Sequence, residues 1–250
     1  MDARRLKYLE AMGVDVWERR APKASGPSAA TTHVEPPLAA SEFPPTADNA
    51  GQHVPVVAER PISELDWDEL EARVRDCRAC PLYATRTQAV FGRGGRDADL
   101  MVVGEAPGAE EDRRGQPFVG RAGQLLDVML TAIGRGPDDV YIANILKSRP
   151  PDNRDPLPEE VAACMPYLKR QIALVKPKLL LAVGRVAAQN LLGVTTSLGR
   201  LRGTLHSFGE SAIPVVVTYH PAYLLRRPAD KRKAWEDLKR VRAQLERGDP

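Results

Sequence analysis

The chain has 250 residues, more than one average domain and fewer than two, and its 36 Lys and Arg against 33 Asp and Glu leave a formal net charge of +3. With 43% hydrophobic and 28% charged residues, the composition is that of a soluble globular protein and excludes a fibrous or wholly disordered chain. No apolar run reaches the roughly 18 residues that span a bilayer, and the first residues lack the apolar core of a signal peptide. We therefore expect a cytoplasmic protein with no membrane partner.

The chain divides into three segments. Residues 1–20 carry apolar side chains at helical spacings and predict a short N-terminal helix, which either recognises a protein partner or packs on its own domain. Residues 21–61 hold 8 of the 22 prolines among Ala, Ser and Thr, which predicts a flexible linker and a disordered N-terminal extension. Residues 62–250 carry the dense pattern of a folded domain, and we expect a monomer.

From residue 62 onward, short apolar runs alternate with helical patterns. Four runs predict buried strands, at 100–103, 140–146, 179–183 and 213–218. Helices are predicted near 120–133, 159–175, 186–192 and 230–247, and Ser63 is expected to cap an earlier helix. This alternation predicts an α/β domain with four strands in a mainly parallel sheet. Because ligands of such a sheet bind beyond the carboxyl ends of its strands, the residues after each strand are candidates for a site.

The first strand leads into the motif GEAPG at 104–108. Its glycines bracket a tight turn, but it lacks the Gly-Lys-Ser/Thr of a P-loop and the glycine spacing of a dinucleotide fingerprint. Three acids and an aromatic follow, at Glu110, Glu111, Asp112 and Phe118. Clustered carboxylates repel phosphate, so the set suits a flat uncharged ring and a water to be activated, although the acids alone equally fit a solvated helix start.

Two further strand ends carry polar side chains. Asn144 offers a donor and an acceptor that can read the edge of a pyrimidine, although an Asn at a strand end more often forms a turn. His220 can donate a hydrogen bond to a developing oxyanion, or it can cap the turn that follows. The segment HPAYLLR at 220–226 then presents two leucines and an arginine, and the leucines equally fit a core.

In this order and at these separations, GEAPG with GQPFVG, then NILKSRPPDNR, then HPAYLLR closely resemble the family 4 (iron–sulfur) uracil-DNA glycosylases. The resemblance covers roughly residues 68–245. It implies a doubly wound three-layer α/β/α sandwich around a four-stranded parallel sheet, with 62–250 as the catalytic domain. It also implies a DNA-repair hydrolase that flips uracil out of single- or double-stranded DNA, cleaves its N-glycosidic bond and leaves an abasic site.

The resemblance assigns roles by position. Gly104, Glu105 and Ala106 would form the wall of the uracil pocket, Phe118 would stack on the base, Asn144 would bind its Watson–Crick edge, and His220 would stabilise the charge that develops on uracil O2. The stretch Leu224, Leu225 and Arg226 would enter the duplex and fill the gap.

Cleavage through an oxocarbenium-like state requires a carboxylate that orients water near the sugar. In some glycosylase families an Asp follows the first strand, but Ala106 stands at that position here. We expect Glu111 to take this role, with Glu105 as the second candidate and Asn153 as a residue that positions water.

The carboxyl-terminal region fits a DNA partner. Residues 221–250 hold nine Lys and Arg against five Asp and Glu, which suits sequence-independent phosphate contacts and equally a solvated helix face. The alternative to a glycosylase is a catalytically weak relative that binds DNA or recruits a partner. A nucleotide-binding protein is disfavoured because the phosphate loop is absent.

The 3 cysteines depart from the family pattern of four cysteines that hold a 4Fe–4S cluster. Cys77, Cys80 and Cys164 match three of the places, and Ser148 stands at the fourth. A serine hydroxyl ionises and binds iron much less readily than a thiol, whose pKa is about 8.5. A cluster with serine or water on the fourth iron, a labile three-iron form, no cluster, and zinc with a histidine all remain open. We favour an incomplete or labile cluster over none.

Overall fold

The structure is a computed structural model that describes residues 60–210 and 212–247. These residues belong to one compact unit that spans Val56–Pro250. The predicted helix over 1–20 and nearly all of the predicted linker over 21–61 lie outside the described residues, so both stay predictions. Within the described ranges, no helix combines the length and apolar character needed to cross a membrane.

A mixed sheet forms the centre of the domain. Its strands are β1 (Arg93–Gly94), β2 (Leu100–Gly104), β3 (Val140–Asn144), β4 (Leu179–Val183), β5 (His206–Phe208) and β6 (Ile213–Thr218), in the spatial order β1-β3-β2-β4-β6-β5. The four predicted strands are confirmed, and they are the parallel ones. The sequence missed β1 and β5, which pair antiparallel at the two edges, because strands of two and three residues leave no apolar run.

The helices are α1 (Trp67–Arg75), α2 (Ala109–Arg114), α3 (Arg121–Thr131), α4 (Pro158–Val175), α5 (Arg185–Leu192), α6 (Leu198–Leu201), α7 (Pro221–Arg226) and α8 (Lys231–Arg247). Alternate residues of the parallel strands point to opposite faces of the sheet. Met101 and Val103 pack with α4 and α5 on one face, whereas Leu100 and Val102 pack with α3 and α8 on the other. The predicted three-layer sandwich is therefore confirmed.

The start of α1 differs from the prediction. Asp66, not Ser63, is the N-cap: its side chain accepts a hydrogen bond from the Glu69 N–H at 2.9 Å, and Glu69 accepts in return from the Asp66 N–H at 3.0 Å. Ser63 lies in a preceding 3₁₀ turn, Ile62–Glu64. An Asp followed three residues later by Glu forms a reciprocal capping box, whereas the residue three positions after Ser63 is Asp66 and not the Glu or Gln of that motif.

Parallel pairing brings the strand ends together. Gly104 at the end of β2 lies opposite Asn144 at the end of β3. The pairing continues past the strands, since the Ile145 N–H donates to the Gly104 carbonyl at 2.9 Å and the Leu146 N–H donates to the Glu105 carbonyl at 3.0 Å. The GEAPG turn is thereby fixed directly beside Asn144.

Candidate active site

A cavity of about 460 Å³ opens at the carboxyl ends of β2, β3 and β6. Its lining includes most of the predicted site residues, namely Glu105, Ala106, Glu111, Phe118, Asn144, Asn153, His220 and Arg226. It also includes Arg154 and Tyr223, which the sequence analysis missed. Tyr223 lies inside the HPAYLLR motif, so that motif was the available signal, whereas nothing in the sequence singled out Arg154.

Asn144 carries an unpaired acceptor. Its side chain is 2% exposed, and its Oδ1 is the buried side-chain atom that lacks a hydrogen-bond partner in the described part of the chain. Its backbone is held, because the Asn144 carbonyl accepts from Lys147 Nζ at 2.8 Å. Buried polar atoms are nearly always paired, so an unpaired amide oxygen in a cavity wall is an acceptor available to a ligand.

Phe118 forms an aromatic wall next to this amide. The residue adopts a left-handed backbone with φ of 55° and is almost completely buried. Two glycines permit its placement: a Cβ on Gly104 would lie 2.7 Å from the Phe118 ring and collide with Asn144 Oδ1, and a Cβ on Gly123 would collide with the Phe118 backbone. Because Gly104 has no side chain, it leaves room for the Phe118 ring and the Asn144 amide.

His220 stacks near Phe118, with ring centroids 5.6 Å apart and an angle of 30° between the planes. It is the N-cap of α7, and its Nδ1 accepts a hydrogen bond from the Ala222 N–H at 3.1 Å. Burial, helped by the nearby Arg226 and opposed by Glu111, lowers the pKa of His220 to about 4. The ring is therefore neutral at pH 7, and because Nδ1 acts as an acceptor, the proton is on Nε2.

An ordered stack supports the chain on both sides of His220. The Tyr219 and Tyr223 rings lie 4.9 Å apart at 19°, and the Arg202 guanidinium lies 4.2 Å from the Tyr219 centroid. Arg202 Nε donates in turn to the buried Asp237 at 2.7 Å, and the Tyr223 hydroxyl donates to Asp230 at 2.6 Å. These contacts attach the His220 segment to α8.

The three acids after GEAPG have separate environments. Glu110 is exposed and pairs with Arg113 at 2.7 Å, and both carboxylate oxygens of the buried Asp112 accept from the Thr87 N–H at 3.0 Å. Glu111 faces the cavity, and its Oε1 accepts from the N–H groups of Val119 and Gly120, both at 3.0 Å. Only Glu111 of the three is placed to meet a ligand.

The other two candidates for water activation also line the cavity. Burial, reinforced by Asp155 and opposed by Arg185, raises the pKa of the Glu105 carboxyl. Asn153 lies at the exposed rim, where its Oδ1 accepts from Arg149 Nε at 2.8 Å. The raised pKa keeps Glu105 in its neutral acid form to a higher pH than an exposed glutamate, and Asn153 keeps its amide NH₂ available.

The segment predicted to enter DNA divides between core and surface. Leu224 is 1% exposed and packs in the apolar cluster beneath α3 and α8, so it does not offer a surface contact in this conformation. Leu225 is 37% exposed, and Arg226 is exposed at the cavity rim. The sequence left open whether both leucines are core residues, and the structure places Leu224 in the core and Leu225 at the surface.

The predicted iron–sulfur residues lie outside the cavity lining of the described residues. Cys164 is buried, which raises its pKa to about 11, and both Cys77 and Cys80 add to that shift, so the three thiols are electrostatic neighbours. Burial also raises the pKa of Cys80. Ser148 Oγ accepts from Arg86 Nη1 at 2.8 Å. Among the described residues, no three His, Cys, Asp or Glu side chains are arranged around one metal ion.

The donor set does not fit a cluster bound by four thiolates. Three thiols are present, and the fourth position holds a 3% exposed hydroxyl that already accepts from a guanidinium. Lys147 is fully buried beside Cys164, its Nζ donates to the Asn144 carbonyl and to Gln171 Oε1, and burial lowers its pKa to about 7.

The site lies at the strand ends of a doubly wound sheet and combines an aromatic wall, an unpaired amide acceptor and a neutral imidazole. These features suit an α/β protein that binds a planar, nucleobase-like ring.

The comparisons identify the family. The profile described as the uracil DNA glycosylase superfamily matches residues 91–239. The chain is 42% identical over 180 residues to the type-4 uracil-DNA glycosylase of Archaeoglobus fulgidus, covering 70% of this chain and 90% of that protein. It is 43% identical over 176 residues to the type-4 enzyme of Thermotoga maritima, covering 68% and 90%. The chain belongs to the uracil-DNA glycosylase superfamily, in its type-4 branch.

Proposed function

We propose that the chain removes uracil from DNA by hydrolysing the N-glycosidic bond and leaving an abasic site. The observation that carries the proposal is the unpaired Asn144 Oδ1 in the wall of a cavity that also holds Phe118 and His220. A base inside a duplex cannot reach such a cavity, so the nucleotide must be flipped, at a cost of a few kcal/mol that binding in the cavity offsets.

Base recognition rests on Asn144. Uracil presents an N–H donor at N3 beside a carbonyl acceptor at C4, which matches the amide oxygen and amide NH₂ of asparagine. Cytosine reverses both groups. Phe118 supplies a flat apolar face for the ring, so the two residues together favour uracil over cytosine.

The bond that breaks joins uracil N1 to C1′ of the deoxyribose. Its electron pair leaves with uracil, and the negative charge spreads onto O2, where the Nε2–H of neutral His220 donates a hydrogen bond. Water adds to C1′ and gives up one proton to the catalytic carboxylate, and the uracil anion takes up one proton from solvent, so the products are the abasic sugar and uracil. A neutral donor stabilises the uracil anion without transferring a full proton to it.

Water activation is assigned to Glu111, with Glu105 as the second candidate. Two backbone N–H groups hold Glu111 Oε1, which fixes the carboxylate and leaves Oε2 available on the side of Gly108. The carboxylate can accept the proton of water and offset the positive charge on the sugar. Asn153 at the rim supports the position of that water.

Contacts with DNA are assigned to the rim of the cavity. Leu225 and Arg226 are exposed at the end of α7, where they can occupy the space left by the flipped nucleotide. Arg226 and Arg227, with the basic side chains of α8, suit the phosphate backbone. We assign action on single- or double-stranded DNA in the cytoplasm, at the nucleoid. A monomeric state and a protein partner for residues 1–20 stay predictions.

The cofactor assignment follows from the donor set. Relatives of this type carry an iron–sulfur cluster, as the family resemblance implies, whereas this chain offers three thiols, from Cys77, Cys80 and Cys164. We propose that any cluster here is labile, because Ser148 is a poor fourth ligand.

The test is cleavage of an oligonucleotide that carries a single uracil, measured at enzyme excess as alkali-labile product. Asn144→Ala is expected to lower the single-turnover rate at least 100-fold, because it removes the hydrogen bonds to the base. Asn190→Ala is the matched control, since Asn190 lies on α5 and donates to the Val186 carbonyl. DNA binding without cleavage by the unmodified chain would instead support the catalytically weak relative.

A further inference from the structure

The residue at the position of the missing fourth cysteine already takes part in a hydrogen bond. Ser148 follows β3 in a buried loop, and its hydroxyl oxygen accepts a hydrogen bond from Arg86 Nη1 at 2.8 Å. These residues are 62 positions apart in the sequence. The hydrogen bond therefore connects two segments that an iron–sulfur cluster would otherwise join through a cysteine at 148.

The same guanidinium reaches the end of α1. Arg86 Nη2 donates to the Arg75 carbonyl at 2.6 Å and to the Cys77 carbonyl at 3.1 Å. Its own backbone N–H donates to the Leu82 carbonyl at 3.1 Å, which anchors the residue in the turn after Cys80. One side chain thus joins the last turn of α1, the first cysteine and the loop after β3.

We propose that Arg86 is a metal-independent clasp that holds the cysteine segment, residues 77–86, against the loop at Ser148, so that this part of the domain folds without an iron–sulfur cluster. A guanidinium is suited to this role because it is always charged and presents several donors in a fixed plane. Hydrogen bonds from a charged donor are roughly twice as strong as neutral ones.

Neighbouring contacts reinforce the clasp without metal. The Tyr167 hydroxyl on α4 donates to Cys77 Sγ at 3.2 Å, and the Val90 N–H donates to the Lys147 carbonyl at 2.8 Å. Leu70 and Val74 on α1 are fully buried against Phe91 and Tyr167. Packing and hydrogen bonds that involve no metal therefore contribute at both ends of the segment and along α1.

The test compares the full chain before and after iron is removed with a chelator, with iron content verified by elemental analysis. We expect the thermal midpoint of the unmodified chain to change by less than about 2 °C on chelation. In the iron-free chain, Arg86→Met is expected to lower the midpoint by about 5–10 °C, from the loss of three charge-assisted hydrogen bonds in a domain of this size. Ser148→Ala, which removes one of them, is expected to have a smaller effect.

Arg78→Met is the matched control. Arg78 lies in the same segment, is exposed, and faces the Tyr83 ring at 5.7 Å. We expect its midpoint to stay within about 1 °C of the unmodified chain, since cation–π contacts at exposed sites are weak. A loss at Arg78 equal to that at Arg86 would show that charge, not the clasp, matters, and would overturn the proposal.

Hydrogen exchange tests the proposal on the unmodified chain, so the test does not depend on whether a variant folds. The N–H groups of Tyr83, Thr85 and Arg86 donate to carbonyls within the segment. In the iron-free unmodified chain we expect them to remain protected from exchange. Rapid exchange on removal of iron, or a fall of the midpoint on chelation as large as that of Arg86→Met, would show that a cluster holds the segment and would overturn the proposal.

Discussion

Replacing His220 by Phe removes the imidazole from the cavity and keeps an aromatic ring of similar size next to Phe118. In the unmodified chain, Nδ1 of His220 accepts from the Ala222 N–H, and burial lowers the pKa to about 4. Three pH units above that pKa, the neutral form exceeds the cation by about a thousandfold at pH 7. The substitution therefore deletes a neutral Nε2–H donor and no positive charge.

The magnitude follows from the role of that donor. A hydrogen bond to a developing oxyanion in a protected site contributes about 3–4 kcal/mol to the transition state, or roughly 100- to 1000-fold in rate. The lost cap of α7 costs about 1 kcal/mol of folding free energy, which does not affect the rate of chemistry in the folded protein. We expect single-turnover cleavage to fall 100- to 1000-fold, while affinity for the DNA stays within about threefold.

The assay is cleavage of a single-uracil oligonucleotide at saturating enzyme, with His206→Phe as the control. His206 lies on β5, where its Nε2 contacts the Leu201 carbonyl at 2.8 Å, outside the cavity lining. Between pH 5.5 and 8 the rate of the unmodified chain should show no inflection from His220. A loss below tenfold, or an inflection near pH 6.5 that disappears in His220→Phe, would refute the reasoning.

Three further predictions concern other parts of the domain. Glu111→Gln should remove most turnover and retain DNA binding, because the amide keeps an acceptor for the Val119 and Gly120 N–H groups but loses the charge; near-normal single-turnover cleavage would contradict the assignment, and Glu105→Gln serves as the comparison. Ser148→Cys should raise the iron content per chain and the visible sulfur-to-iron absorption after anaerobic reconstitution, because it supplies a fourth thiol, and equal iron in both proteins would count against the ligand position. Leu225→Ala should slow cleavage in duplex DNA about tenfold more than in single strands, since only a stacked base leaves a gap to fill; equal effects on both substrates would contradict an insertion role.

The sequence predicted the parts of the fold that depend on long apolar patterns. The strands β2, β3 and β4 are buried throughout, and β6 is buried over its last four residues. The ends of these apolar runs predicted that Asn144 and His220 lie at the carboxyl ends of the strands. The residue types at those ends then indicated the chemistry. The sequence could not predict β1 and β5, because these short edge strands form by pairing with β3 and β6 and carry no apolar pattern of their own.

The amino-acid sequence alone could not predict which of the three acids faces the cavity or which of the two leucines is buried. Glu110, Glu111 and Asp112 are adjacent in sequence, yet rotation of about 100° per helical residue points them to solvent, to the cavity and to the Thr87 N–H. Leu224 and Leu225 differ for the same reason, one in the core and one exposed. The Arg86–Ser148 bond was also hidden, since 62 residues separate its partners.

The unpaired Asn144 Oδ1 bears on both the stability of the free protein and the expected preference for uracil over cytosine. A buried acceptor without a partner costs about 1–3 kcal/mol, and a ligand that brings an N–H to it recovers that cost. Uracil offers such a donor, the N3–H. Cytosine has an unprotonated N3 at the same position, so Asn144 Oδ1 would stay unpaired and its lone pair would be repelled by the lone pair of N3. Sites of this kind reject analogues that lack the expected donor by far more than a hydrophobic pocket can, so we propose that this one atom is responsible for both the affinity for uracil and the exclusion of cytosine.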